Sequence, residues 1–442
     1  MTTLRQELDV NPGRQAISVA LAVAATVPGI FIRLTHPGFA HPIEALLFGI
    51  AIVGAAFILS WAAEVAQLDI SAGLAIAVLA FIAVLPEYAV DMILAWQGGN
   101  DFAEFGRECK AATSTRESNC SLALANMTGA NRLLIGIGWS MVVFVAAYRS
   151  RKIPPILREI QLERPHAVEV SFLALATVYS LTLPLKGSIT LVDSIVLVSI
   201  FVLYTVRISR APAEEPHLVG PARWVGGFAT RNRRLSVVAM FIFAATVILL
   251  CAELFAEALK ETGAELGISE FLLIQWLAPL ASEAPELLIA GLYAWRLNTN
   301  AGLGTLVSSK VNQWTLLVGT LPIVFALAAG GLDGLPIDAH QREELLLTAA
   351  QSFFAIAVLA TLSISMREAL LLFTLFWAQF IIGGLVPESL AAAERIGVSI
   401  VYIALGLVIF ARERRLIVPL LRDGFRTPYR QLGKPRGDIP GV

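Results

Sequence analysis

Charged side chains are scarce in this chain. Asp, Glu, Lys and Arg make up 15% of its 442 residues, against about 25% in ordinary soluble domains. With 57% apolar residues and a mean hydropathy of +0.72, such a surface could not be kept in water. A soluble globular class is therefore excluded, and an integral membrane protein is expected. The net charge is −1 and no basic stripe carries interleaved aromatics, so nucleic acid is not an expected partner. Nothing resembles a P-loop, which argues against direct drive by ATP. The five histidines (His36, His41, His166, His217, His340) sit in short polar connections, none at a metal-ligand spacing from Cys, Asp or Glu. No cleavable signal pattern is present, since the first apolar run, 16–32, is long enough to remain as a helix. Of three cysteines, Cys251 reads as core packing. Cys109 and Cys120 flank a polar loop and can pair if that loop faces an oxidising compartment.

What the chain has is long apolar runs. Twelve can cross a bilayer of ~30 Å, which takes ~20 helical residues. They are 16–34, 43–66, 71–96, 119–148, 167–184, 188–207, 235–258, 269–296, 300–329, 345–363, 368–386 and 395–411. They are too long for barrel strands and must satisfy their backbone groups internally, so helices are expected. The connections 149–166 and 208–234 and the tail after 411 are rich in arginine. Twelve spans put all three on one side, read as cytoplasmic, with both termini there in what is read as the plasma (inner) membrane.

Two of the runs repeat each other. Residues 86–96 read PEYAVDMILAW and 285–295 read PELLIAGLYAW; Pro86, Glu87, Ala95 and Trp96 return 199 positions later as Pro285, Glu286, Ala294 and Trp295. The parity of the spans makes the copies run in opposite directions, a common transporter plan. The expected fold is an all-α polytopic membrane protein with inverted five-helix repeats and an extra helix at each end. Its parts are 1–42 (tail and extra helix), 43–207 (first half), 208–234 (basic linker), 235–386 (second, inverted half) and 387–442 (extra helix and basic tail).

A glutamate inside an apolar helix costs at least ~3 kcal/mol unless it faces a partner or a hydrated cavity. Each proline also removes a hydrogen bond, so a kink or break is expected that bares carbonyls beside the carboxylate. Carboxylates with carbonyls suit hard cations such as Na⁺ and Ca²⁺. Asp91 lies one turn after Glu87, and Ser282 and Glu283 about one turn before Glu286. The helices that follow carry Asn126, Thr128 and Asn131, and then Ser308, Ser309, Lys310, Asn312 and Gln313. Each hydroxyl or amide can serve the site or bond a neighbouring helix. Arg132 can point away and is left out of the set. Asp101, Glu104, Glu108 and Glu117 in the loop 97–118 form either a solvated face or a weak collector of cations.

These residues carry a resemblance to the calcium/cation antiporter superfamily, the sodium/calcium exchanger family. Its members have two inverted repeats, each with a G-T-S-x-P-E helix followed by a helix bearing G-N-x-x-G-S-N. The likeness covers 70–148 and 268–329 at motif level and implies Glu87 and Glu286 as central cation ligands, with Asn126, Gly129 and Asn131 in the second motif. The chain departs from the pattern at AVLPE (83–87), at ASEAPE (281–286), with Glu283 at the usual Ser, and at SSKVNQ (308–313). In the last, Lys310 falls at the first Asn, while the glycine register instead pairs Asn131 with Asn312. Lys310 reads either as a tethered cation that replaces a Na⁺ or proton, or as a side chain reaching the inner surface. The resemblance implies a secondary antiporter exchanging Ca²⁺ for Na⁺ or H⁺ by alternating access, with a proton-coupled Na⁺/H⁺ exchanger as the alternative. No cofactor beyond the transported cations and no enzymatic activity are expected. A channel lacks a filter-like repeat, and an intramembrane hydrolase is disfavoured by Glu in place of Asp.

Overall fold

The computed structural model describes residues 12–69, 85–114, 116–151, 157–211, 218 and 220–433. In chain order the helices are α1 (Pro12–Thr35), α2 (His41–Ala66), α3 (Leu85–Phe105), α4 (Asn119–Leu133), α5 (Ser140–Ser150), α6 (Ala167–Ser180), α7 (Leu191–Ile208), α8 (Pro221–Gly226) and α9 (Thr230–Leu266). They continue with α10 (Glu270–Trp295), α11 (Thr299–Asn312), α12 (Val318–Ala329), α13 (Ala339–Val358), α14 (Met366–Leu385), α15 (Glu388–Arg412), α16 (Arg414–Phe425) and α17 (Tyr429–Leu432). Four short strands are β1 (Glu159–Gln161), β2 (Ser188–Ile189), β3 (Leu335–Pro336) and β4 (Ser363–Ser365). Among the described residues, eleven helical spans are long and apolar enough to cross a membrane. Each overlaps one of the expected runs. The remaining run, 71–96, falls partly on 70–84, outside the described residues, and its described part opens α3.

Polar caps start the helices where the chain turns back. Ser118, Ser269 and Asp338 accept from the backbone of Ser121, Leu272 and Gln341, and Ser365 with Glu368 forms a capping box. Some helices outrun the apolar signal. α9 has 37 residues, about 55 Å at 1.5 Å per residue, so it projects well beyond a bilayer core. The stretch after 411 is helical as well, in α16 and α17.

Burial orders the bundle. Within the most apolar 18 residues of 119–150 and of 339–361, 78% and 83% are buried, whereas in α1 and α15 the same measure gives 22% and 17%. The first two sit at the centre and the two extra helices at the lipid-facing rim. α4 and α5 are joined by a π-helical turn, Leu134–Trp139, and α11 and α12 by another, Gln313–Leu317. The third span of each half thus carries the same irregularity, each with a fully buried tryptophan, Trp139 or Trp314.

Contacts between connections divide into two faces. On one, β1 pairs antiparallel with β4, Asp69 bonds Arg233 and Arg234, and Arg164 bonds Asp423. On the other, β2 pairs antiparallel with β3, Arg116 bonds Glu261, and His41 bonds Glu265. Every one of these contacts joins connections that the parity of twelve spans places on the same side. Cys109 and Cys120 form a disulfide on the face opposite the arginine-rich connections. In the same loop Glu104 and Glu108 are exposed, and Asp101 accepts from Asn119 at 2.7 Å.

Candidate cation site

Of the two proline–glutamate segments, only the second is described on both sides of its proline. Pro86 lies in the first described turn of α3, and the carbonyl of Ile82 is outside the described residues. Pro285 lies inside α10 together with Pro279, yet α10 runs unbroken from Glu270 to Trp295. The expected break is therefore not seen there. Each proline still frees one carbonyl. That of Gln275, four residues before Pro279, faces Gly129 of α4, where an added Cβ would sit 1.7 Å from it. Only glycine permits this approach, and it brings α4 against α10 at the level of the acids.

The carboxyl groups of Glu87 and Glu283 share one amide partner. Gln313 bridges them, donating from Nε2 to Glu283 Oε1 at 2.5 Å and to Glu87 Oε2 at 3.4 Å. One turn along α3, Asp91 accepts from Asn126 Nδ2 at 2.8 Å. Glu286 is partly exposed, with Ser309 beside its carboxyl group. Lys310 is fully buried, which removes the reading in which it reaches the inner surface. Its Nζ donates to Asn131 O at 2.6 Å and Asn131 Oδ1 at 2.5 Å and lies 5.2 Å from the Trp314 ring. Its charge acts on Glu87 and Glu283. If the first residues of the two π turns are aligned, Asn131 and Lys310 are equivalent. The contact thus joins corresponding stretches of the two halves.

The other candidates are placed as follows. Ser282 turns back on its own helix, donating to Ala278 O and Pro279 O. Thr128 donates to Leu124 O and Ala125 O. Ser309 and Asn312 are buried, while Ser308 pairs with Tyr204 at 2.8 Å. Six buried oxygens of this group accept no hydrogen bond from a described residue: Glu87 Oε1, Asp91 Oδ2, Glu283 Oε2, Glu286 Oε2, Asn126 Oδ1 and Gln313 Oε1. All are hard donors of the kind Ca²⁺ takes, six to eight at a time. Among the described residues no three His, Cys, Asp or Glu side chains converge enough to hold a metal ion as they stand. The arrangement is an acid pair flanked by two further acids, not a closed cage.

A second buried cluster was missed from sequence. Arg132 bonds Glu344 through Nη1 at 2.6 Å and Gln379 through Nη2, and stacks 4.9 Å from Trp276. Gln275 donates to the same Glu344 at 2.8 Å. This network ties α4, α10, α13 and α14 together one residue beyond Asn131. An arginine inside the expected span 119–148 was its only signal in the sequence.

A family model described as sodium/calcium exchanger protein matches residues 43–209 and 236–383. The crystal structure of the H⁺/Ca²⁺ exchanger CAX is 41% identical, with a TM-score of 0.84 over 96% of this chain and 99% of that one. The structure of native YfkE is 14% identical, with a TM-score of 0.58 over 88% of this chain and 100% of that one, a likeness of fold alone. A search of curated proteins gives no match. A family model spanning most of the chain, two halves marked by the same π turn, and an all-helical membrane fold shared with CAX agree. The chain belongs to the sodium/calcium exchanger protein family, whose activity is cation antiport.

Proposed function

We propose that the chain exchanges Ca²⁺ for H⁺ across the membrane by alternating access. The observation that carries this reading is the Glu87–Glu283 pair bridged by Gln313. Two buried carboxyl groups that meet at one amide can hold a single proton between them, because neighbouring like charges are costly in a dry interior. Loss of that proton converts the pair into two carboxylates, and Asp91, Glu286 and the amide oxygens of Asn126 and Gln313 can then complete an oxygen shell. Proton-bound and Ca²⁺-bound states become alternatives of one site, which is the requirement for antiport. The 41% identical relative is an H⁺/Ca²⁺ exchanger by name, which favours H⁺ over Na⁺ as the counter-ion. Lys310 supplies a fixed positive charge that would otherwise have to come from a further ion. The acids bind cargo, with no covalent chemistry and no cofactor.

The arginine-rich face is assigned to the cytoplasm by the positive-inside rule. That puts the ends of the chain on the cytoplasmic side of the plasma membrane and the Cys109–Cys120 disulfide in an oxidising compartment.

The test is ⁴⁵Ca²⁺ uptake into proteoliposomes under an imposed pH gradient or an imposed Na⁺ gradient. Uptake driven by ΔpH and indifferent to Na⁺ is expected. Uptake only under the Na⁺ gradient would replace H⁺ by Na⁺ in this reading. H⁺-driven ²²Na⁺ flux without Ca²⁺ flux would favour the Na⁺/H⁺ alternative.

A further inference from the structure

Beyond the transport site lies a surface that cation exchange does not use. α16 begins one residue, Glu413, after the rim span α15 ends. It is strongly two-sided, and one side is fixed to the bundle. Asp423 is buried and receives a bidentate bond from Arg164, at 2.8 and 2.9 Å. Arg207 donates to Gly424 O at 2.9 Å. Gly424 packs so closely on α6 that a Cβ there would sit 2.1 Å from Ser171 Oγ. The helix is therefore held in one rotation at the arginine-rich face.

That rotation determines what the free side presents. At 100° per residue, Arg415, Arg422 and Arg426 fall within a 40° stripe, and all three are exposed. Next to them, on the flank centred near Arg414, come Val418, 73% exposed, and Phe425, 38% exposed, with Leu421 between. Six arginines stand in 412–430 against two acids, Glu413 and Asp423. Asp423 is consumed by Arg164, and Glu413 lies on the opposite side of the helix from the stripe. An exposed apolar flank beside a cationic stripe, starting where a membrane span ends, has the pattern of a helix that lies in a lipid interface. The charge can be complemented by only one sign of headgroup.

We propose that α16 is an interfacial helix that binds anionic phospholipid headgroups through Arg415, Arg422 and Arg426, with Val418 and Phe425 set among the acyl chains. The bilayer is continuous with the preceding span, so the lipid needs no separate docking event. Guanidinium groups suit phosphate because they offer two parallel donors.

The full chain is purified in detergent with mixed phosphatidylglycerol and phosphatidylcholine, and lipids retained per protein are counted by native mass spectrometry. Retention is then compared in vesicles of the same lipids with headgroup-labelled probes at 50 and 500 mM salt. Preferential retention of phosphatidylglycerol is expected, weakened by salt. The triple variant Arg415→Gln, Arg422→Gln, Arg426→Gln should lose it by roughly a hundredfold, since each arginine near an anionic surface contributes about fivefold. The triple Arg→Lys variant should keep most of it. The assignment is overturned if the wild type shows no phosphatidylglycerol preference, if the triple Gln variant keeps it at an unchanged melting temperature, or if the triple Lys variant loses it entirely. Capture of an acidic peptide in place of lipid would also overturn it.

Discussion

The two halves share a plan and differ in chemistry. Both bring a Pro–Glu pair to the centre, and both interrupt the next helix with a π turn. Such turns occur mostly at functional sites. Around this common part the first half adds Asp91 with its Asn126 partner, and it adds Arg132 anchored to Glu344. Aligned by the Pro–Glu pair and by the π turns, the second half has Ala290, Thr305 and Val311 at those places. It adds instead Glu283 and Lys310. The first half is therefore braced against the opposite half by a buried ion pair, while the second half supplies both the extra acid of the pair and the fixed cation. In the proposed site, the shared Pro–Glu pairs supply the central acids and the unshared residues set the charge.

The comparison is broken most severely by removing what is common. Glu87→Gln and Glu286→Gln should each lower ⁴⁵Ca²⁺ exchange by ~100-fold or more, since carboxylate charge sets affinity for a hard cation. Membrane insertion should be unchanged. Retained flux in either variant would remove that half from the site. Arg132→Gln tests the brace. It leaves the buried Glu344 with only the longer ion-pair contacts to Arg395 at 3.9 Å and His340 at 3.8 Å, and breaking a buried pair costs about 3–5 kcal/mol, so a large fall in melting temperature is expected; an unchanged melting curve would mean the network does not hold the halves. Lys310→Met tests the fixed cation. Asn131 loses the donor to both of its oxygens, at about 1–3 kcal/mol, and the charge moved per Ca²⁺ should change by about one elementary charge relative to wild type. Current measurements on supported membranes that find the same charge per ion would rule that role out. Asp91→Ala makes the first half resemble the second at Ala290 and should weaken Ca²⁺ by roughly tenfold through the lost ligand charge. An unaltered half-saturating Ca²⁺ concentration would take Asp91 out of the shell.

The smallest effect is expected at the linker. Bonds first from Arg233 and then from Arg234 hold the Asp69 carboxyl down at about 2, from an ordinary 3.8. A lowered value means the stabilisation is complete above pH ~4 and is lost only as pH falls towards 2. Asp69→Asn should cost on the order of 1–2 kcal/mol, with flux at neutral pH intact. A flux defect there would give the linker a role that the two halves do not share.

The spans, and which connections share a face, were legible because hydropathy and arginine placement are local properties of the chain. Glu87 and Glu286 were legible because duplication marked them. Other features arise only when helices meet. Gln275, Glu344 and Gln379 look like ordinary polar residues in separate runs, and only packing brings them around Arg132. Two registers placed Lys310 equally well, and only packing shows its ammonium on Asn131. Pro285 signalled a break, but neighbouring helices keep α10 continuous, as packing often does for proline in a membrane.

The two-stranded ladders deserve a mechanical reading. Each has one strand from each half, and they lie on opposite faces. β1·β4 is lengthened by Leu162 N to Leu362 O and by Met366 N to Arg158 O, and β2·β3 by Ile337 N to Gly187 O. Paired backbones resist sliding, because a slip of one residue turns every side chain to the wrong side. The connections flanking α6, α7, α13 and α14 are thereby riveted at top and bottom into one chassis built from both halves. Whatever swings to expose the acids to one side and then the other must swing against that chassis, so the moving part and the resting part do not coincide with the two repeats.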